Sequence, residues 1–453
     1  MEKLTLSEIA GALGGSFNSE CEINGVCIDT RKITEGCLFI CIKGERFDGH
    51  DFAEEAIEKG AAAVMVHKVP QGFDGKYVLV ENTSKGLLDL GAYYRSKFTI
   101  PVVGLTGSVG KTTTKEFTYL VVSAKYNAIK TLGNLNNEIG LPQMLFHIDS
   151  KTEAAVIEMG MNHFGEIHRL TTAAKPTLAL ITNIGVSHIE NLGSCEGILK
   201  AKLEILDGLE KGSPLIVNGD NDMLRTVCRD DYRILRFGIE NKDCDFLADN
   251  ISQGADGAEF DIKYFGKTQH IEIPAIGTHN VYNALAAFAV GYCLDIPPQD
   301  CADALAGYVP EGMRQKVVRF EGMTFIEDCY NASPDSMKAA ISTLSGFKGR
   351  KIAVLSDMLE LGDISADAHE NVGRLAGEKG VDALYCYGEL SKHTAEGAKA
   401  SGVKEVHHFE NKDLLSDALL KELRAGDTVV FKASRGMKLE DVIKNIYDRW
   451  EVK

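Results

Sequence analysis

A short apolar run, Val102 to Leu105, passes directly into Gly104-Leu-Thr-Gly107-Ser-Val-Gly110-Lys111-Thr112-Thr113, and the residues that follow, Lys115 to Val122, have helical character. Strand, glycine-rich turn and helix in that order are the context a phosphate loop requires. The glycines let backbone N–H groups turn inward around phosphate oxygens at a helix N-terminus, where the helix dipole also favours an anion. In such a loop Gly107, Ser108, Val109, Gly110 and Thr113 form the cradle, Lys111 reaches the terminal phosphates, and the Thr112 hydroxyl binds Mg²⁺. The spacing departs from GxxxxGK[ST], because the position five before Gly110 is Leu105 and the glycines stand at 104 and 107. A glycine-rich turn without a ligand is the plainer alternative, and the flanking strand and helix weigh against it.

The surroundings extend that α/β reading. After the loop, the continuous apolar runs Ala154 to Ile157, Leu178 to Ile181 and Leu215 to Val217 alternate with helical stretches, as in a parallel sheet covered on both faces. Leu247 to Ile273 alternates short strands with glycine-rich turns and reads as an antiparallel extension, followed by an Ala-rich helix from Thr278 to Tyr292. Before the loop, Val26 to Asp29, Leu38 to Ile42, Ala62 to Val66 and Tyr77 to Val80 alternate with helical segments such as Phe52 to Lys59. The opening MEKLTLSEIAGALGG reads as an amphipathic helix. Beyond Pro310, Thr324 to Glu327, Ile352 to Leu355, Ala383 to Tyr387 and Thr428 to Phe431 are separated by helices in a doubly wound pattern. The expectation is an α/β chain of three domains, 1–98, 99–310 and 311–453, which agrees with a length of 453 residues at roughly 150 residues per domain.

Composition narrows the function. Hydrophobic residues at 44% and charged residues at 25% are those of an ordinary globular chain, which argues against disorder or coiled coil. A net charge of −16 disfavours bulk binding to nucleic acid or anionic lipid. No apolar run approaches the roughly 20 residues that span a bilayer, so a cytoplasmic protein is expected. The eleven cysteines form no CxxC pair, and Cys37, Phe39 and Cys41 read as one face of a buried strand. Reduced, mostly buried thiols are expected rather than disulfides or zinc.

A nucleotide loop needs a metal site, and strand C-terminal ends are where open α/β sheets place their ligands. Glu158 follows Ala154 to Ile157, and His188 follows Leu178 to Ile181 through TNIGVSH. Either residue alone is more simply a loop hydrogen-bonder; a shared edge with Lys111 makes both candidates. Lys202 is the most informative single residue. At 100° per residue, the helix beginning near Ser194 places Ile198, Ile205, Leu206 and Leu209 on one side, with Lys200, Glu204 and Asp207 pointing away. Lys202 falls inside the apolar sector. Helical spacing alone leaves a snorkelling lysine or a buried ion pair as the plainer reading, while burial without an anion produces a neutral amine able to add CO₂ as a carbamate.

Taken together, GLTGSVGKTTTKEF, NLNNEIGLP, EMGMNHFGEI, TNIGVSHIENLGSCEGILKAKLEI, GTHNVYNALAA, DCYNASPDSM and SDMLELGD resemble the Mur ligases of peptidoglycan synthesis across all three expected domains. Within that family the similarity is to members that join D-alanyl-D-alanine to UDP-N-acetylmuramoyl-tripeptide. The resemblance implies a small α/β UDP-sugar-binding domain, a central phosphate-loop domain that binds ATP, and a C-terminal Rossmann-like domain that closes on ATP and takes the amine. It implies Lys111 on the ATP phosphates, Thr112 and Glu158 on one Mg²⁺, His188 and Glu158 on a second, and a carbamylated Lys202 supporting the metal. Asn280 and Asn283 resemble adenine-side contacts, and Arg314 and Asp328 those that close over phosphate and ribose. Asp29, Thr30 and Arg31, with Gly44, Asp48, Gly49 and His50, resemble the UDP-sugar reader. Asn331, Asp335, Ser434 and Arg435 lie where the family handles the amine. Ser356 and Ala433 stand where the family usually has Gly, and Ser333 where it has Asn, all beside the amine pocket.

The implied reaction activates the tripeptide carboxylate as an acyl phosphate, releases ADP, and lets the dipeptide amine attack. A monomer is expected. A sister ligase adding a single amino acid and folylpolyglutamate synthetase are the near alternatives, opposed by DCYNASPDSM and DMLELG; a phosphate-loop kinase and a nucleotide switch are the distant ones. Whether the third residue of the tripeptide is lysine or diaminopimelate stays open.

Overall fold

A computed structural model describes residues 1–45, 47–310 and 312–450. Glu311, at which the third domain is expected to begin, lies outside the described residues. The chain builds a mixed α/β fold around three main sheets, with a small antiparallel pair, Leu4–Thr5 against Glu22–Ile23, at the start.

The central sheet has nine strands. Across it run Ala128–Lys130, Ala154–Glu158, Val102–Thr106, Leu178–Ile181, Pro214–Asn218, Arg233–Gly238 and Phe246–Gln253, all parallel. Ala258–Tyr264 and Lys267–Ile273 then complete the edge as an antiparallel extension, which begins later than the expected Leu247 because Phe246–Gln253 still runs parallel with its neighbour Arg233–Gly238. The parallel strands are buried on both faces, which is why their apolar runs are continuous rather than alternating. Val102–Thr106 has Ala154–Glu158 on one side and Leu178–Ile181 on the other. The chain therefore reverses its direction of winding at this strand, and the crevice outside its C-terminal end is where such a sheet binds ligands. Helices Lys111–Ser123 and Thr278–Cys293 cover one face of the sheet.

Five strands make the first sheet, in the order Ser16–Phe17, Tyr77–Leu79, Ala63–Val66, Cys37–Ile40 and Gly25–Cys27. Cys37, Phe39 and Cys41 lie together on one face of it, and all eleven cysteines are free thiols. The opening segment is helical only over Leu6–Leu13, held by a capping box between Thr5 and Glu8. The third sheet has six strands and includes two that the sequence pattern does not reveal, Lys316–Phe320 and Glu405–Phe409. Both are edge strands.

The two junctions between sheet regions differ. Helix Thr83–Arg95 of the first region packs on Gly140–Leu145 and Glu166–Ala174 of the central one, and a single apolar cluster runs from Leu4 through Tyr94 to Val227. Tyr94 donates to Ile148 O at 2.6 Å. Arg95 is buried and its guanidinium donates to Ala174 O at 3.0 Å and Phe98 O at 2.5 Å. Between the central and third regions lies instead a cleft. No helix among the described residues is long and apolar enough to cross a membrane.

Candidate active site

The glycine-rich turn leaves strand Val102–Thr106 and enters helix Lys111–Ser123 with Gly110 at φ 80° and no side-chain cap. The N–H groups of Lys111, Thr112 and Thr113 open the helix and have no intrahelical partner. Gly107 is required by close approach: a Cβ there would stand 1.9 Å from Thr182 Oγ1. The turn is clamped by Asn183, a residue the sequence reading passes over. The Ser108 N–H donates to Asn183 O at 3.0 Å, and Asn183 Oδ1 accepts from the N–H groups of Ser108 at 3.1 Å and Val109 at 2.9 Å. Those two amides are thus committed to the protein, whereas the helix-opening amides lack intrahelical partners. Lys111 Nζ folds back to donate to Gly107 O at 2.8 Å and Ser108 O at 3.3 Å. Burial pulls its pKa below the usual lysine range, opposed by the Glu158 carboxylate.

Glu158 is buried at the end of its strand. Its Oε2 accepts from Thr112 Oγ1 at 3.0 Å and its Oε1 from Asn136 Nδ2 at 2.8 Å. His188 takes a left-handed φ of 63°. Its Nδ1 lies 3.1 Å from Glu360 Oε2 of the third region but makes no hydrogen bond. Burial first, then the charges of Lys111 and Lys202, push its pKa down to about 4.

Helix Cys195–Leu203 gives way to a 3-10 turn at Glu204–Gly208, so the wheel drawn from the sequence loses its period there, yet Ile198, Ile205, Leu206 and Leu209 are all buried. Lys202 is 2% exposed and makes no hydrogen bond or ion pair among the described residues. It pairs with no anion among the described residues. Burial and the neighbouring Lys111 charge hold its pKa well below the lysine range.

Across the turn, Asn283 Oδ1 accepts from Thr114 Oγ1 at 2.9 Å, and Asn283 Nδ2 donates to Asn280 Oδ1 at 3.0 Å. Asn280 Nδ2 reaches Ile276 O at 2.8 Å and Gln315 Oε1 at 3.0 Å. From the third region, the Arg314 guanidinium lies 3.8 Å from the Tyr330 ring centroid. Asp328 pairs with the buried Lys432 at 2.7 Å, which also donates to Asn331 O at 3.1 Å. A cleft of about 880 Å³ is lined by residues of this set from both regions, among them Lys111, Glu158, Asn280, Arg314, Asp328 and Asp335. Asp335 projects across it toward the central region, where a Cβ on Gly185 would meet its Oδ2 at 2.0 Å. Burial raises the Asp335 carboxyl above the usual range.

Other expected residues lie apart. Ser434 is buried, and its hydroxyl accepts from the Leu359 N–H at 3.0 Å. Arg435 pairs with Glu440 at 2.6 Å, with its guanidinium 5.9 Å from the Tyr330 ring centroid. Asp29 accepts from Arg31 Nε at 2.9 Å and Nη2 at 2.7 Å around Thr30, and that pairing holds its carboxyl well below the usual range. Asp48 Oδ1 accepts from the N–H of His50 at 3.0 Å and from His50 Nδ1 at 2.6 Å, while His50 Nε2 accepts from the His67 N–H at 3.1 Å, which fixes the tautomer. Gly44 donates to Phe47 O at 2.9 Å in the same loop. This first-region cluster does not line the cleft. Asn183, Asn136, Lys432, Gln315 and Tyr330 are the contributors that sequence reasoning missed; Asn183, Asn136 and Tyr330 lie inside motifs already singled out, TNIGVSH, NLNNEIGLP and DCYNASPDSM.

Comparison with known proteins follows the same geography. Residues 22–91 match the Mur ligase family, catalytic domain; residues 105–291 the Mur ligase middle domain; and residues 313–435 the Mur ligase, glutamate ligase domain. The UDP-N-acetylmuramoyl-tripeptide--D-alanyl-D-alanine ligase of Bacillus subtilis (strain 168) is 42% identical, over 99% of both chains. A crystal structure of MurF from Acinetobacter baumannii superposes with a TM-score of 0.91 at 30% identity over 99% of each chain. The MurF ligase of Thermotoga maritima in complex with ADP gives 0.86 at 28% identity, over 94% of this chain and 98% of that one. By sequence and by fold, along its whole length, the chain belongs to the Mur ligase family.

Proposed function

We infer that the chain is an ATP-dependent ligase that joins D-alanyl-D-alanine to UDP-N-acetylmuramoyl-tripeptide, giving ADP, phosphate and the pentapeptide precursor of peptidoglycan. The observation that carries this is a likeness running through all three sheets to relatives named for that reaction. We propose the division 1–98 for the UDP-sugar, 99–310 for ATP and 311–453 for closure and the amine, in a cytoplasmic monomer.

A carboxylate is a poor electrophile with a poor leaving oxygen, so the acid must be activated. The tripeptide carboxylate attacks the γ-phosphoryl group and ADP leaves; the dipeptide amine then attacks the acyl phosphate through a tetrahedral intermediate and phosphate leaves. The amides of residues 110–113 receive phosphate oxygens, with Ser108 and Val109 shaping the turn. Lys111 exchanges the loop carbonyls for the terminal phosphates, a positioning and electrostatic role. Asn280 and Asn283 take the adenine side, Arg314 and Asp328 phosphate and ribose. Asn331 and Asp335 in the cleft, with Ser434 and Arg435 behind them, are assigned to the amine side, and Asp29, Thr30, Arg31, Gly44, Asp48 and His50 to the UDP-sugar.

The residues present fit two Mg²⁺ ions, since Glu158 and the Thr112 hydroxyl offer the hard oxygen ligands the ion prefers and the His188 Nδ1 is buried without a hydrogen bond. Thr112 and Glu158 would hold one ion; Glu158, His188 and a carbamate on Lys202 would support the second. When bound, the metal offsets repulsion between carboxylate and triphosphate. Lys202 suits carbamylation because its side chain is 2% exposed, has no ion-pair partner among the described residues, and burial lowers its pKa toward the nucleophilic amine. The test is ADP release with each tripeptide crossed against candidate amines. Steady ADP formation is expected only with tripeptide and dipeptide together, and oxygen-18 in the acceptor carboxylate should appear in phosphate. Preference for a single amino acid, or unlabelled phosphate, would overturn the reading.

A further inference from the structure

Four residues after Lys111 the same helix carries a second lysine that never reaches the cleft. Lys115 is 1% exposed; its Nζ donates to Thr131 O at 2.8 Å and lies 2.9 Å from Glu116 Oε1. The other oxygen of Glu116 pairs with Lys130. Withdrawing an ammonium from water is costly, and an apolar side chain of similar volume often serves stability as well or better. Stability alone is therefore a weak reason for this charge. What Lys115 holds is more telling. Thr131 is fully buried just past strand Ala128–Lys130, with its N–H donating to Val156 O at 3.0 Å. Its hydroxyl accepts from the Glu158 N–H at 2.9 Å. The Glu158 carboxylate in turn accepts from Thr112 Oγ1 at 3.0 Å. Thr112 and Lys115 are neighbours at i and i+3 on one helix. The links close into a ring: Lys115, Thr131, Glu158, Thr112, and back along one helical turn.

We propose that Lys115 is a positioning residue for phosphoryl transfer, fixing through Thr131 the place at which the Glu158 carboxylate meets Thr112 in the cleft. The inference rests on the reading of the cleft given above. A carboxylate at a strand end swings about its own torsions; a backbone pinned on one side and a hydroxyl set on the other keep it aimed. Outer partners of this kind commonly matter to metal affinity nearly as much as the ligands do.

The experiment uses the full chain. Mn²⁺ binding to the enzyme–ADP complex is measured by electron paramagnetic resonance, beside the Mg²⁺ concentration for half-maximal ADP release and the melting midpoint. Lys115→Met and Thr131→Val should each weaken Mn²⁺ binding by about 10-fold to 100-fold, with a parallel rise in Mg²⁺ requirement and an unchanged KM for the UDP-sugar. The double variant should be no worse than the poorer single one, because both cut the same chain of contacts. Thr131→Ser, which keeps the hydroxyl, should recover Mn²⁺ binding. Phe117→Leu, a core change on the same helix, calibrates plain loss of stability and should lower the midpoint without moving Mn²⁺ binding. Wild-type Mn²⁺ binding in Lys115→Met, a loss reproduced by Phe117→Leu, or additive losses would each overturn the proposal. If Lys115→Met does not fold, Thr131→Val and Thr131→Ser decide it. An active Lys111→Ala would sink the reading of the cleft instead.

Discussion

The two junctions of this molecule solve opposite problems. Between the first and central sheets, helix Thr83–Arg95 lies so close to Gly140–Leu145 that a Cβ on Gly91 would stand 2.7 Å from the Pro142 Cβ, and the apolar cluster continues from one side to the other. Between the central and third sheets, contact is made by polar and charged groups around a cleft: Asp335 against Gly185, Glu360 beside His188, Glu190 beside Gly362. The first junction excludes water over a continuous face and behaves as interior. The second leaves polar and charged side chains lining an open cleft, and junctions of that kind are the ones that move. Rigidity is placed where the first sheet meets the central one, and freedom where the central sheet meets the third.

That contrast can be broken at several points. The largest effect is expected at the cleft, where Lys111→Ala should lose about 10³-fold in ADP formation, roughly 4 kcal/mol of transition-state stabilisation, with little change in the melting midpoint; near-normal turnover would remove the phosphate-loop assignment. Lys202→Ala should lose at least about 100-fold and regain part of it with added short-chain carboxylates. Full activity without rescue would exclude a carbamate. At the closed junction, Gly91→Ala should cost about 1–3 kcal/mol of stability through overpacking while leaving KM for ATP alone, as followed by denaturant unfolding beside kinetics. A changed KM with an unchanged midpoint would mean that this junction also moves. Gly185→Ala is its counterpart across the cleft. The new methyl displaces the Asp335 carboxylate rather than a backbone, so turnover should fall about 10-fold, near 1.4 kcal/mol, with the midpoint held. The smallest effect concerns His369, which is fully buried with its Nε2 accepting from the Met358 N–H at 2.9 Å and its Nδ1 donating to Ser365 O at 2.7 Å. Burial lowers its folded pKa, so below about pH 6.5 the unfolded chain takes up a proton that the folded one refuses. Stability of the loop carrying Glu360 should decline as pH falls from 6.5, and His369→Gln should flatten that slope in melting scans.

Much of the fold is legible in the sequence because the central strands are buried on both faces, and an uninterrupted apolar run can hardly be anything else beside a glycine-rich turn. The edge strands Lys316–Phe320 and Glu405–Phe409 escape because half their side chains face water, and KVVRF and EVHHF carry no clean period. In the site, what is contiguous is readable and what is assembled at a distance is not. The Lys111 turn announces itself, whereas the Asn183 clamp joins residues 75 apart in sequence. Lys202 sits between these cases: its apolar sector is visible from helical spacing, but its lack of an ion-pair partner among the described residues is a property of the folded surroundings.

The shared core of the first junction also bears on how the chain comes off the ribosome. Helix Thr83–Arg95 emerges with a face built for Pro142, Leu145 and Ile148, none of which has yet been made. Completing that cluster to Val227 takes roughly 130 residues more, about 6–26 s at ordinary rates of synthesis. During that interval the nascent first region displays Leu87, Leu90 and Tyr94 unfinished, a stretch of time in which a chaperone has something to hold.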